Sequence, residues 1–474
     1  MKKYFTAIIL GISIGCFLLT ACRGEAPLQP EPTTTPTLKP SRTPRPTRTS
    51  TPTVEITIEP SATPLSEGAD SLVLSGVTIE LWHPWTQGKE FAILALVNEF
   101  NARNPYGITV TAFSQGGDTY KNVQEVLGSS KAPQVVVGYN NQLQSWDNLS
   151  GAIVDLNPYI DDPEWGMASA IQSDFYPVIW AQDATETKRL GLPIYRSTIV
   201  IFYNQSWAQE LGFANPPQTP DELREQACAA ASANHDSTGG WIATGDISTN
   251  MSWLMAFEGS LLTPDGAQYQ ATSAENEAAF NFLGNLFDMG CAWIPGAYYP
   301  NQEFATRKGL FYPSSIAGIP FQAEAFEEAN NRDQWTVLPF PGISGQPVLN
   351  LYGSAYAILK STLEEQLASW IFIQWMLRPE NQARFIEASG YLPVSASTLD
   401  YLDEYINENP LWAQAVEWIP DGKTEPALGS WGVARWAFGD AIDELFSPDY
   451  PSEQIPALLE KLEQTLNEIQ ADNP

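Results

Sequence analysis

The sequence holds 16 tryptophans in 474 residues. An indole offers a flat apolar face and one N–H, equally suited to stacking on a ring and to anchoring a core. Two aromatic clusters sit beside polar groups at the ends of apolar runs, Trp82-His83-Pro84-Trp85 and Tyr139-Asn140-Asn141. Trp431 and Arg435 are spaced i, i+4, so on a helix a stacking face and a planar hydrogen-bonding fork share one side. Flat rings next to planar polar groups are the chemistry of holding a molecule. The chemistry of cleaving one is harder to find. There are 55 acidic residues, but no motif selects two at the ~5–9 Å spacing that glycosidic cleavage needs. Gly342-Ile343-Ser344-Gly345 lacks the Gly-x-Ser-x-Gly spacing of a nucleophile elbow. The two His and four Cys show no zinc spacing, so neither a metal nor a cofactor is expected.

The N-terminus sets the expected compartment. Lys2 and Lys3 precede a mostly apolar stretch, Phe5 to Leu18, too short to span comfortably and flanked like a signal peptide. It ends in Leu19-Thr20-Ala21-Cys22, which resembles a bacterial lipobox; that resemblance implies cleavage after residue 21 and a lipidated Cys22 that anchors the chain outside the cell membrane or in a periplasm. Residues 22–76 form a Pro/Thr-rich linker that cannot bury enough apolar surface to offset its ordering entropy. As polyproline II it reaches ~100–160 Å. No later segment resembles a membrane span. The formal charge of −31 argues against a nucleic-acid partner, which needs a basic footprint. Cys228 and Cys291 are the two cysteines left outside the leader. In an oxidising setting they either bridge, closing a loop of about 62 residues worth roughly 4 kcal/mol, or stay as two buried thiols; a bridge is the expectation.

Hydrophobic periodicity supplies the elements that position these residues. Val77 to Leu81 reads as a strand, Ile93, Leu96, Val97 and Phe100 as one face of a helix, Ile108 to Phe113 as a strand, and Val135-Val136-Val137 as a strand buried on both sides. This β-α-β-α-β order predicts an α/β protein with a doubly wound sheet, in which ligands bind beyond the carboxyl ends of the strands. A second α/β region follows: Thr219-Pro220-Asp221-Glu222 predicts a helix start, Gly309 to Tyr312 and Trp335 to Leu338 strands, Leu349 to Leu359 one strand-like stretch, and Leu363 to Leu377 a helix. No flexible linker separates the regions, so strand crossovers are expected to join them.

The chain resembles the extracellular solute-binding proteins that include maltodextrin- and glycerol-3-phosphate-binding subunits of ABC importers, over residues 77–474. The resemblance is carried by Ile79-Glu80-Leu81-Trp82-His83-Pro84-Trp85, Phe100-Asn101-Ala102-Arg103-Asn104-Pro105, Ala132-Pro133-Gln134-Val135, Gly191-Leu192-Pro193 through Tyr203-Asn204, Ser314-Ser315, Tyr352-Gly353-Ser354-Ala355-Tyr356 and Gly390-Tyr391-Leu392-Pro393-Val394. It implies a type II periplasmic-binding-protein fold, with lobe 1 at 77–198 plus 350–390 and lobe 2 at 199–349 plus 391–474, closing over a ligand. Hinges are implied near Thr198, Gly353 and Gly390. The implied ligand residues are Trp82, His83 and Trp85 after the first strand, with Tyr120, Asn140 and Asn141 after the next two. Arg196, Ser197 and Thr198 are implied at the hinge strand. Asp246, Trp253, Ser314 and Ser315 are implied from the second lobe, Tyr352 and Gly353 from the return crossover, and Trp431 with Arg435 from a late helix.

The expected partners are a small polar ligand, best read as a carbohydrate, the permease of an ABC importer, and a membrane through the lipid; the protein is expected to be a monomer and not an enzyme. A phosphorylated polyol is the alternative ligand, because Arg435 suits a phosphate as well as sugar hydroxyls. A secreted glycoside hydrolase and a structural wall lipoprotein are the alternatives of other classes.

Overall fold

The computed structural model describes residues 72–448 and 450–473. The leader, Cys22 and the linker as far as residue 71 lie outside the described residues. Among the described residues no helix is long and apolar enough to cross a membrane.

In chain order the strands are β1 (Thr78–His83), β2 (Thr109–Ser114), β3 (Val135–Tyr139), β4 (Leu192–Pro193), β5 (Ser197–Asn204), β6 (Gly239–Ile242), β7 (Ala292–Trp293), β8 (Gly309–Ser315), β9 (Trp335–Leu338), β10 (Phe340–Pro341), β11 (Pro347–Tyr352), β12 (Ser354–Ile358) and β13 (Gly422–Lys423). They form two sheets. The first has the order β2-β1-β3-β12-β4. Its β1 runs parallel to β2 and β3, and β12 returns antiparallel to β3 and β4. Ile79, Leu81 and His83 alternate inward along β1, the period of a half-buried strand. The valines of β3 are covered on both faces: Val135 and Val137 pack into one core cluster and Val136 into another. The helix Gln87–Arg103 buries Ile93, Leu96, Val97 and Phe100, the face its periodicity predicts. The helices Leu363–Met376 and Pro379–Ser389 pack beside it.

The second sheet has the order β10-β11-β5-β8-β6-β7, with β13 beside β11 and β9 beside β5. Its spine is β5, every residue of which is buried. The helices Ile247–Ala256, Ala274–Asp288, Trp431–Leu445 and Ile455–Asp472 pack together on this side. Cys228, on the helix Pro220–Asn234, is bonded to Cys291 just ahead of β7, with Cα atoms 4.4 Å apart.

The chain passes between the sheets at residues 194–196 and back at Gly353. A bridge between Arg196 and Leu392 lays residues 390–394 alongside the first passage. The stretch Leu349 to Leu359 is thus two strands in two sheets, broken at Gly353. The break has a steric cause: a Cβ at Gly353 stands 2.4 Å from the Tyr195 carbonyl oxygen and 3.1 Å from the Arg196 Cα, so only glycine lets the two passages touch.

Candidate functional site

A cavity of about 440 Å3 lies between the two sheets, within the ~300–1,000 Å3 range of small-molecule sites. Tyr139, Asn140 and Asn141 enter it from the carboxyl end of β3, where an α/β sheet opens to a ligand. Asp246 and Ser248 come from the start of the helix Ile247–Ala256, Leu351, Tyr352 and Gly353 from the crossover, and Trp431 and Arg435 from the first turns of the helix Trp431–Leu445. The segments 178–184 and 422–427 complete the wall.

Asn140, Asn141, Asp246, Tyr352, Gly353, Trp431 and Arg435 are therefore brought together. Asp246 and Trp431 are fixed by hydrogen bonds. Asp246 caps its helix, its Oδ1 accepting from the Thr249 backbone N–H at 2.7 Å and the Thr249 hydroxyl at 2.8 Å, which leaves Oδ2 free of that duty. The Trp431 indole N–H donates to Glu425 Oε2 at 3.0 Å. An Arg435 guanidinium nitrogen lies 4.0 Å from the same carboxylate oxygen, and its Nε is buried without a hydrogen-bond partner. Burial, with the Asp246 charge beside it, pushes the Tyr352 phenol well above its ordinary pKa. The Tyr139 phenol is raised by Tyr195 and by burial. Both are held as neutral hydroxyls at physiological pH, able to donate to a ligand.

The other expected residues stand elsewhere. Trp82 lies on β1 with its indole N–H donating to Glu80 at 3.1 Å, packed beside Val136 and Trp146. His83 is fully buried, stacked on Trp85 with ring centroids 5.4 Å apart. Trp85 is itself core, against Phe385 at 4.9 Å. Tyr120 stacks on Trp146 at 5.7 Å, and its hydroxyl meets Ser145 at 2.8 Å. Trp253 is buried in the second core, edge-on to Trp241 at 5.3 Å and Phe340 at 5.2 Å. Thr198 is buried within β5. Ser197 and Ser315 share a hydrogen bond at 3.0 Å across β5 and β8, and Ser314 is half-buried next to them.

Arg196 also leaves the cavity. Its side chain is fully buried in an ion pair with Asp183 at 2.5 Å. Its guanidinium also donates to the carbonyls of Tyr195 at 2.9 Å and Ser354 at 3.3 Å. Only its Nε contact with Gln182 Oε1, at 2.8 Å, reaches toward the wall. It binds the crossovers to each other.

The wall residues without a sequence signal are Gln182, Lys423 and Glu425. Gln182 and Glu425 sit in irregular segments and Lys423 on the two-residue strand β13, all too short for a periodicity to mark a buried side. β13 holds residues 422–423 against β11, and the close fit there, with Leu351 Cδ1 2.2 Å from a Cβ placed at Gly422, explains the glycine but does not announce a site.

With this geometry in hand, the chain's kinship is plain: it belongs to the bacterial extracellular solute-binding protein family, whose model matches residues 95–414. Solved structures share the fold. The cyclic alpha-maltosyl-1,6-maltose binding protein of Arthrobacter globiformis superposes with a TM-score of 0.71 at 20% identity, over 84% of this chain and 99% of that one. The sugar-binding protein MalE of Xanthomonas citri gives 0.71 at 21%, over 84% and 98%. UgpB of Mycobacterium tuberculosis, solved with glycerophosphocholine, gives 0.67 at 20%, over 84% and 100%.

Proposed function

We propose that this protein is the exported receptor of an ABC importer and that it captures an uncharged carbohydrate in the cavity between its sheets. The observation that carries the reading is the composition of that wall. Tyr139, Tyr352 and the edge of Trp431, whose ring is 2% exposed against Tyr269 and Phe438, stand with Asn140, Asn141, Gln182 and Asp246 around one cleft. Rings stack on the C–H faces of a sugar, and planar amides and carboxylates meet its hydroxyls. The names of the Arthrobacter and Xanthomonas neighbours point the same way. The task is capture and delivery to a permease rather than catalysis.

The return passage at Gly353 borders the cavity, and residues 194–196 and 390–394 run alongside it, which supports two lobes that close about these three segments, with the ligand favouring the closed form. The lipobox-like Leu19-Thr20-Ala21-Cys22 supports a lipid tether. Cys22→Ser is expected to move the protein from the membrane fraction to the soluble fraction; a variant that stays membrane-bound in high salt contradicts the tether.

A thermal-shift screen of mono-, di- and oligosaccharides tests the ligand class. At about 100 times Kd a bound sugar adds ~2.7 kcal/mol of stability, a readily seen shift. Arg435 favours one second reading, a phosphorylated polyol or its diester. A shift with sn-glycerol 3-phosphate or glycerophosphocholine and with no sugar replaces the first reading by the second.

A further inference from the structure

Four charged side chains line the cavity, Asp246 and Glu425 against Lys423 and Arg435. Lys423 is exposed, and its ammonium donates to the Met255 carbonyl at 3.1 Å. Arg435 is therefore the cation of the inner wall. Glu425 lies beside it and is held by donors from three elements. Ser248 Oγ, at the start of the helix Ile247–Ala256, donates to its Oε1 at 2.5 Å, and Asn350 Nδ2, on β11, donates to the same oxygen at 3.2 Å. Trp431 Nε1 donates to Oε2 at 3.0 Å. The Glu425 side chain is only 10% exposed. Asn350 Nδ2 also donates to the Ser248 carbonyl at 3.1 Å, which ties two of these anchors together.

A carboxylate pinned this firmly 4.0 Å from a guanidinium cancels most of the field that the guanidinium presents to an incoming anion. With Asp246 set against Lys423, the cavity presents no net positive charge to an anion. Arg196, buried behind the wall, is already matched by Asp183. We infer that Glu425 is a specificity-determining residue: it neutralises Arg435, so that the cavity excludes phosphate-bearing ligands, and it holds the Trp431 ring and the guanidinium in place as a stacking and hydrogen-bonding wall for an uncharged ring. The inference rests on the reading of this cavity as the ligand site, and it assigns that site a charge rule.

The test is calorimetry with sn-glycerol 3-phosphate and, separately, maltose. The wild type is expected to bind sn-glycerol 3-phosphate only weakly, with a Kd of roughly 1 mM or more. Glu425→Gln frees the guanidinium and binds it about tenfold tighter or more, a change of ~1.4 kcal/mol, with affinity that falls as salt rises. Adding Arg435→Gln to that variant removes the gain. Glu425→Asp keeps the charge and keeps the exclusion. If Glu425→Gln does not fold, judged by its ligand-free melting, the wild type answers alone: its residual affinity for sn-glycerol 3-phosphate is unchanged or raised by salt. A folded Glu425→Gln within about twofold of the wild type, or one whose gain survives Arg435→Gln, overturns the inference even where maltose binds the wild type and the carbohydrate reading stands. Tight binding of sn-glycerol 3-phosphate by the wild type, weakened by salt, overturns both.

Discussion

His83 shows at the residue scale what a polar side chain costs when the fold buries it for shape. It is fully buried, and neither ring nitrogen has a partner at hydrogen-bonding geometry. Burial lowers its pKa to about 4, only partly offset by the Trp85 backbone. The unfolded chain, with a histidine pKa of ~6.5, takes up this proton first as pH falls. Stability is therefore intact above that value, falls as pH drops toward 4, and is lower by ~3 kcal/mol once both states are protonated. Denaturant melts of the wild type and His83→Phe from pH 7 to 4 check this. The variant is expected to lose less stability across the window, and identical slopes rule out His83 as the source. In the sequence, the same histidine beside two tryptophans reads as a ligand contact. The residue types are right for binding, but the direction of each ring depends on what packs behind it, and Phe385 and Tyr195 come from far along the chain.

Elements were more legible than side chains, because a strand or helix leaves a period in its own segment while a crossover leaves almost none. The helix Gln87–Arg103 and the valine strand β3 follow from their apolar spacing alone. The resemblance pointed to the crossover, but the break between β11 and β12 is a single glycine whose reason, the Tyr195 carbonyl 2.4 Å from its missing Cβ, is long-range. The same holds for residues 422–427, which line the cavity wall yet are silent in the sequence. The crossovers also gather the side chains that bind them. Tyr195 stacks on Tyr391 with centroids 4.1 Å apart, and its hydroxyl meets Ser354 at 3.3 Å. Lys89 donates to the Tyr391 hydroxyl at 2.9 Å. Arg196 joins the first passage to the strand beyond Gly353 through the Ser354 carbonyl. Asp183→Asn leaves that arginine buried without its counter-charge and is expected to cost ~3–5 kcal/mol. Chemical denaturation measures it, and a loss below about 1 kcal/mol contradicts a buried clasp.

At the scale of the whole molecule, two sheets are held by short passages and share one cavity, and one core cluster runs across both, joining Ile79 and Leu81 of β1 to Val200 and Phe202 of β5. The Cys228–Cys291 bond lies within the second sheet's side, far in sequence from the crossovers, so it braces one body rather than locking two. Removing it by Cys228→Ser with Cys291→Ser is expected to cost ~2–4 kcal/mol while leaving ligand affinity within about threefold; an affinity collapse in a protein that still melts cooperatively contradicts that division. The central claim is that this cavity holds an uncharged sugar against Trp431 and Arg435, and titration calorimetry of the two substitutions tests it most directly. With a sugar identified by the thermal screen, Trp431→Ala is expected to cost more affinity than Arg435→Gln, and added salt to change little. If instead Arg435→Gln abolishes binding, Trp431→Ala is tolerated and affinity falls steeply with salt, the ligand is an anion and the carbohydrate account is contradicted.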